Sequence, residues 1–277
     1  MKHNKRHMFI IERKPVIMSI ALSVSIGLSS CSTPPPAIND YDHPKAPTLS
    51  ESIEEYYEIN PDAVGWLKIE GTDINNIVLL NPNETNGNEY YLNHNIYKEP
   101  DKDGVFCIDR KWSLVDGLPR NTTVFGHSWS DDKDGPIMQQ SKRYLDSQFA
   151  EAHPYINFSL SDADMLWEVF AVSYTTVDLP YIHPNLPWKD WEKVVNVIRD
   201  SSIYDYDCDI TKDDKILTIT TCVYSVPGNE NLPLAVNDYR YIIMAKLVEP
   251  AAELEEVAVF TPNHNILRPD DQPQITV

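Results

Sequence analysis

The sequence predicts a mainly β domain, a barrel or sandwich of largely antiparallel strands with helices packed outside it. Eight short runs rich in β-branched and aromatic residues recur between turn signals: Val64–Ile69, Ile74–Leu80, Gly104–Ile108, Thr122–Gly126, Tyr155–Leu160, Leu166–Tyr174, Lys215–Thr221 and Tyr239–Leu247. Two stretches, Ile137–Phe149 and Trp188–Asp200, switch to helical spacing, and the second sets Trp188, Trp191, Val194, Val195 and Ile198 on one face. At 277 residues and 42% hydrophobic content, the chain has apolar material for one packed domain plus targeting and tail segments.

Taken from the N-terminus, residues 1–30 read as an export signal. Lys2, Lys5, Arg6, Arg13 and Lys14 precede an apolar run from Val16 to Leu28, too short for a membrane-spanning helix of about 20 residues. Residues 31–49 hold Pro34, Pro35, Pro36, Pro44 and Pro47 and form a proline-rich tether. Ser50 is placed to cap a short helix with Ile53 and Tyr57 on one face, and Asn60-Pro61 ends it. The folded domain then spans 50–248. Residues 249–277 open acidic, lose periodicity after Phe260, and are expected to be largely disordered.

A formal charge of −19 argues against a nucleic-acid partner, because phosphate backbones are bound by Lys/Arg surfaces that this composition lacks. Of the four cysteines, Cys31 follows Leu28-Ser29-Ser30 directly after the apolar run; the remaining three are Cys107, Cys208 and Cys222. An odd remainder leaves at least one thiol free. A Cys107–Cys208 bridge stays open beside the alternative of two small buried hydrophobes.

The chemistry concentrates at two strand ends. Lys215-Ile-Leu-Thr-Ile-Thr-Thr-Cys222 is a β-type run whose last residue is a cysteine, so the sheet fixes its backbone while its thiol stays open to substrate. A thiol of pKa about 8.5 is mostly protonated at neutral pH and needs a partner. His127, ending the run Thr123-Val-Phe-Gly-His, is the candidate: Gly126 permits close backbone approach and imidazole exchanges protons near neutrality. Arg240 sits inside the apolar run Tyr239–Met244, where an unpaired guanidinium is costly, so it meets either a carboxylate or a developing oxyanion.

Gly-His, then a strand ending Thr-Cys, then Arg in the next strand resembles the sortase signature. Asn60-Pro-Asp-Ala-Val-Gly-Trp-Leu-Lys-Ile with Gly71-Thr72, Tyr90-Tyr-Leu-Asn-His94 and Gly104-Val-Phe-Cys-Ile-Asp109 are similar to class B sortases, as are Tyr144-Leu145, Phe149, His153-Pro154 and the helix at Trp191–Ser201. The similarity covers most of residues 52–247. It implies an eight-stranded β-barrel with peripheral helices and a cysteine transpeptidase in which Cys222 attacks, His127 exchanges protons and Arg240 holds the oxyanion.

The resemblance also implies secreted protein substrates bearing a sorting motif, a peptidoglycan amine as acceptor, and no cofactor. Leu28-Ser-Ser-Cys31 resembles a bacterial lipoprotein signal, which implies lipidation at Cys31 and a place on the outer face of the cell membrane; an uncleaved signal anchor is the alternative. Three features depart from the family. Ile77-Val78 lacks the usual preceding proline, Tyr224 stands where an aspartate is common, and the Val223–Tyr239 segment is long. Any orienting carboxylate is then lost or moved to a position such as Asp238. These departures keep two rivals open, a cysteine hydrolase and a non-catalytic lipoprotein of the same fold.

Other features read as structural. His94, His153 and His183 have no comparable company. Asp131-Asp-Lys-Asp-Gly135 lacks the distal Glu of a calcium loop and reads as a solvated turn, and Asn81-Pro-Asn-Glu-Thr-Asn86 reads as a turn.

Overall fold

The computed structural model describes residues 50–81, 87–160, 164–226, 238–249 and 252–277. Cys31, the signal and tether, most of the Asn81–Asn86 turn and the centre of the Val223–Tyr239 segment lie outside these. Eight strands close into a barrel in the order β1-β2-β3-β4-β8-β9-β6-β5. They are β1 (Ala63–Lys68), β2 (Asn75–Leu79), β3 (Phe106–Ile108), β4 (Asn121–Phe125), β5 (Tyr155–Leu160), β6 (Leu166–Thr176), β8 (Ile216–Cys222) and β9 (Tyr239–Leu247). β7 (Tyr204–Tyr206) lies outside the barrel. Each matches one of the eight expected runs, and all neighbours are antiparallel except β2 with β3 and β4 with β8.

β5 and most of β8 are buried at every residue rather than alternately. One face looks into the barrel, while helices and loops cover the other. The main cover is α4 (Trp188–Asp200), which packs on β6 and buries Trp191, Val194, Val195 and Ile198. Trp188 stays half-exposed at the end of the stripe, where its ring lies 5.5 Å from the Arg120 guanidinium.

The N-terminal helix α1 (Ser50–Ile59) forms as expected and stops at Asn60, whose buried side chain donates to Tyr91 Oη at 2.8 Å and to the Ile96 carbonyl at 2.9 Å. Its inward face pairs Ile53 with Tyr56, which packs on Trp66, whereas Tyr57 is 52% exposed. Gly87–Tyr90 adds a single helical turn, α2. The expected helix over Ile137–Phe149 is instead two pieces, a 3-10 segment (Ile137–Leu145) and α3 (Ser147–Ala152). Asp146 divides them because its carboxylate caps Gln148 N–H at 3.0 Å and Phe149 N–H at 3.4 Å, starting a new helix. Among the described residues no helix is long and apolar enough to cross a membrane.

The disorder expected of the acidic tail is corrected over residues 252–277. Phe260–Pro262 forms β10, antiparallel to β7, and the Phe260 ring lies 4.4 Å from Tyr204 and 5.0 Å from Tyr206. Farther on, Gln272 donates to the Tyr174 carbonyl at 2.9 Å and Ser201 Oγ at 2.8 Å and accepts from Thr175 Oγ1 at 2.7 Å. A three-residue edge strand with a terminal proline has no periodicity to read, yet one aromatic anchor and one bridging amide hold it. Phe260→Ala should therefore lower stability by about 2 kcal/mol, less than the cost of removing a fully buried aromatic ring, because Phe260 is only partly buried. A denaturant midpoint unchanged from the wild type would mean that the tail contributes nothing.

Candidate active site

The two edges of β8 bring the expected residues to one end of the barrel. On one edge, β9 runs antiparallel with Thr220 opposite Ile242, Thr221 opposite Tyr241 and Cys222 directly opposite Arg240. On the other, β4 runs parallel with Phe125 opposite Thr220. His127 is two residues past Phe125 and Cys222 two past Thr220, so parallel register carries both out of the sheet at the same level. A hydrogen bond of 2.7 Å from Thr221 Oγ1 to the Gly126 carbonyl ties the two exits together.

Glycine at 126 is a steric requirement: a Cβ there would stand 2.8 Å from the Phe106 ring and 2.9 Å from Met138 Cε. The half-buried His127 ring stacks on Trp129 at 4.7 Å, and its Nε2 lies 2.7 Å from the Leu92 carbonyl. A carbonyl only accepts, so Nε2 carries the hydrogen and, in the neutral ring, Nδ1 is the basic nitrogen. Sequence reasoning placed Leu92 among family-like residues without giving it this task.

Cys222 is a half-buried free thiol, while Cys107 and Cys208 are buried and unbridged, which closes the disulfide question. Burial pushes the Cys107 thiol up to about 12 and the Cys208 thiol up to about 11, the latter helped by Glu168. Both are therefore poor nucleophiles.

Arg240 is half-buried and donates from Nη1 to the Tyr239 carbonyl at 2.8 Å. Asp238 does not supply the orienting carboxylate: it is exposed, and its backbone carbonyl accepts from Val177 N–H. Beneath the pair lies Tyr181, fully buried, with its hydroxyl 3.3 Å from Thr220 Oγ1. Burial raises its pKa, and the charges of Arg240 and Cys222 both reach it. Nothing in its local sequence marks Tyr181, which arrives from the loop between β6 and α4.

A carboxylate bonded to the cysteine loop comes from the acidic run read as a solvated turn. Asp132 and Asp134 are exposed, but Asp131 is half-buried. It accepts from Tyr224 N–H at 3.1 and 3.0 Å and from Ser225 Oγ at 3.0 Å, just past Cys222. Tyr224 returns the link by donating from its hydroxyl to the Ser128 carbonyl at 2.6 Å. The histidines set aside as structural hold that role where contacts are seen: His94 stacks on Tyr90 at 4.1 Å and His153 on Phe149 at 4.0 Å.

A closed barrel with cysteine and arginine paired across two strands, and histidine leaving the adjacent parallel strand, is the arrangement that the sequence resemblance implies. No protein-family model matches the chain. Sortase B of Listeria monocytogenes is 31% identical over 175 residues, 63% of this chain and 68% of that protein. Sortase B of Staphylococcus aureus is 30% identical over 173 residues, 62% of this chain and 66% of that protein. A solved Staphylococcus aureus sortase B–substrate complex superposes with a TM-score of 0.59 at 26% identity, covering 72% of this chain and 85% of that one. The chain belongs to the sortase B family.

Because thiolate is the species that alkylates, Cys222 should react with iodoacetamide at pH 8 at least about tenfold faster than Cys107 or Cys208 in the folded protein. Peptide mass spectrometry with equal labelling at all three would count against an activated thiol.

Proposed function

We propose that the protein is a cysteine transpeptidase that cleaves a sorting motif in secreted proteins and joins them to an amine of peptidoglycan. The observation that carries this reading is the register pairing of Cys222 with Arg240, with His127 leaving the parallel neighbour at the same level. The family relationship and the substrate-bound Staphylococcus aureus relative support a sorting-motif substrate.

In the first half-reaction the Cys222 thiolate attacks the motif's carbonyl carbon and the C=O electron pair moves onto oxygen. Arg240 and backbone N–H groups stabilise that oxyanion. Collapse breaks the C–N bond, His127 gives its proton to the departing amine, and a thioester remains. In the second half-reaction an acceptor amine attacks the thioester and loses its proton to neutral His127, and the C–S bond breaks to return the thiolate. A folded-in arginine opposite the nucleophile suits this cycle because its charge is permanent and its donors form a planar fork.

The site of action follows from the N-terminus: an apolar run ending in Leu28-Ser-Ser-Cys31 supports lipidation of Cys31 and attachment to the outer face of the cell membrane. Cys31→Ala should then lose lipid label and membrane retention; a variant processed and retained like the wild type would defeat the lipoprotein assignment.

The enzymatic test is incubation with candidate motif peptides with and without an amine acceptor. Ligated product is expected, hydrolysed product alone would make the protein a hydrolase, and no thioester at Cys222 with any peptide would defeat the enzyme reading. Arg240→Lys keeps the charge but loses the fork, so single-turnover acylation should fall by about 10²-fold with the thermal midpoint retained. An Arg240→Ala protein that acylates at the wild-type rate would remove the arginine from the mechanism.

A further inference from the structure

Behind the site lies a buried cation that the mechanism above does not use. Lys142, on the 3-10 segment, has a side chain with no solvent exposure. Its ammonium donates to Ser128 Oγ at 2.7 Å, the Ser130 carbonyl at 2.8 Å and Asp131 Oδ1 at 2.7 Å. Three donors meet three acceptors, so the ammonium is saturated. Its charge also lies 5.6 Å from the centre of the Tyr224 ring.

All three bonds go to the loop that follows His127, and through Asp131 they connect with a second loop far away in the chain. Ser128 follows His127 directly, and Asp131 reaches across to Tyr224 N–H and Ser225 Oγ beyond Cys222. The Tyr224 hydroxyl closes the ring on the Ser128 carbonyl. Lys142 thus sits at the junction of the segment that follows the histidine and the segment that follows the cysteine. Buried ion pairs are often no more stable than apolar residues replacing the whole pair, so the Lys142–Asp131 pair is to be read for what it positions as well as for folding.

We propose that Lys142 is a positioning residue: it holds the Asp131 carboxylate that ties the His127 loop to the segment beyond Cys222, and its charge favours the Cys222 thiolate. Burial pulls the Lys142 ammonium below the ordinary lysine range, and the charges of Asp131 and Cys222 oppose that pull. Among the described residues, the charged and titratable groups around Cys222 are Arg240 opposite on β9, Tyr181 beneath, His127 just past β4, Tyr224 from its own loop, and the Lys142–Asp131 pair. Asp131 thus takes up the bridging of the two loops, from a position on the histidine side of the site.

The proposal rests on the transpeptidase reading, and its test separates the two. Full-length wild type, Lys142→Met, Lys142→Arg and Asp131→Asn would be compared by the pH midpoint of iodoacetamide labelling at Cys222, by single-turnover acylation with a motif peptide, and by thermal melts. Lys142→Met removes the cation and leaves Asp131 uncompensated, so the labelling midpoint should rise by about one pH unit, slowing labelling near neutrality about tenfold. Lys142→Arg keeps the charge and should restore the midpoint.

Asp131→Asn removes the bridging carboxylate, so acylation should drop about tenfold as the two loops lose their connection. The midpoint rise in Lys142→Met and its return in Lys142→Arg form a charge signature that a merely structural residue would not produce. A folded Lys142→Met protein with the wild-type midpoint overturns the proposal, as does an Asp131→Asn protein that acylates at the wild-type rate. If Lys142→Met fails to fold, Lys142→Arg and Asp131→Asn still decide it. A wild type that never acylates defeats the transpeptidase reading alone, since the labelling midpoints continue to test Lys142.

Discussion

The whole site depends on β8 being gripped along both edges in fixed register. Its antiparallel edge sets Arg240 against Cys222, and its parallel edge brings the β4 exit, with His127, to the same level. Because side chains alternate along a strand, a slip of one residue on either edge would turn the partner to the opposite face. The register is secured by Thr218 Oγ1 on Asn121 Oδ1 at 2.7 Å and Thr221 Oγ1 on the Gly126 carbonyl, bonds that exist only in this alignment. Threonines in the cysteine strand are thus working parts of the site's geometry as well as β-formers.

Around this grip the protein buries polar groups and satisfies them locally. Asn121 donates to the carbonyls of Tyr181 and His183 and so draws the loop between β6 and α4 over the site. Asn60 and Asp62 gather on the Tyr91 hydroxyl, fixing the segment that continues to Leu92 and hence to His127 Nε2. Each buried donor or acceptor costs little only because its partner is already in place, which makes these networks stiff. Stiffness suits a site whose thiol, imidazole and guanidinium are brought in by three separate strands.

The barrel was readable in the chain because its strands are β-branched runs set between turn signals, and Cys222, His127 and Arg240 because each stands at or near a strand end where its chemistry is out of keeping with the apolar run beside it. Contacts made at long sequence separation were not readable. Tyr181 looks like any loop aromatic, and Asp131 like one of three equivalent aspartates, until the fold carries the backbone beyond Cys222 to it. Lys142 sits in the helical-looking stretch Ile137–Phe149, where a lysine ordinarily points to water, and only the loop folding back over it removes the solvent. The tail was misjudged for a related reason: Phe260 and Gln272 act singly, and a single anchoring residue leaves no pattern.

The bond between Thr221 and Gly126 spans 95 positions in the chain, and the pairing it accompanies has no local precursor. Long-range strand pairing of this kind forms late in folding, since the loop must close before the contact can reward it. A chain still on its way to the barrel therefore carries Cys107, Cys208 and Cys222 as three similarly exposed thiols. Only closure separates them, sealing two inside the core and leaving the third between an imidazole-bearing strand and a guanidinium. Closure is in this sense also a protective step: it withdraws from solvent the two thiols that a partly folded form leaves open to a wrong disulfide.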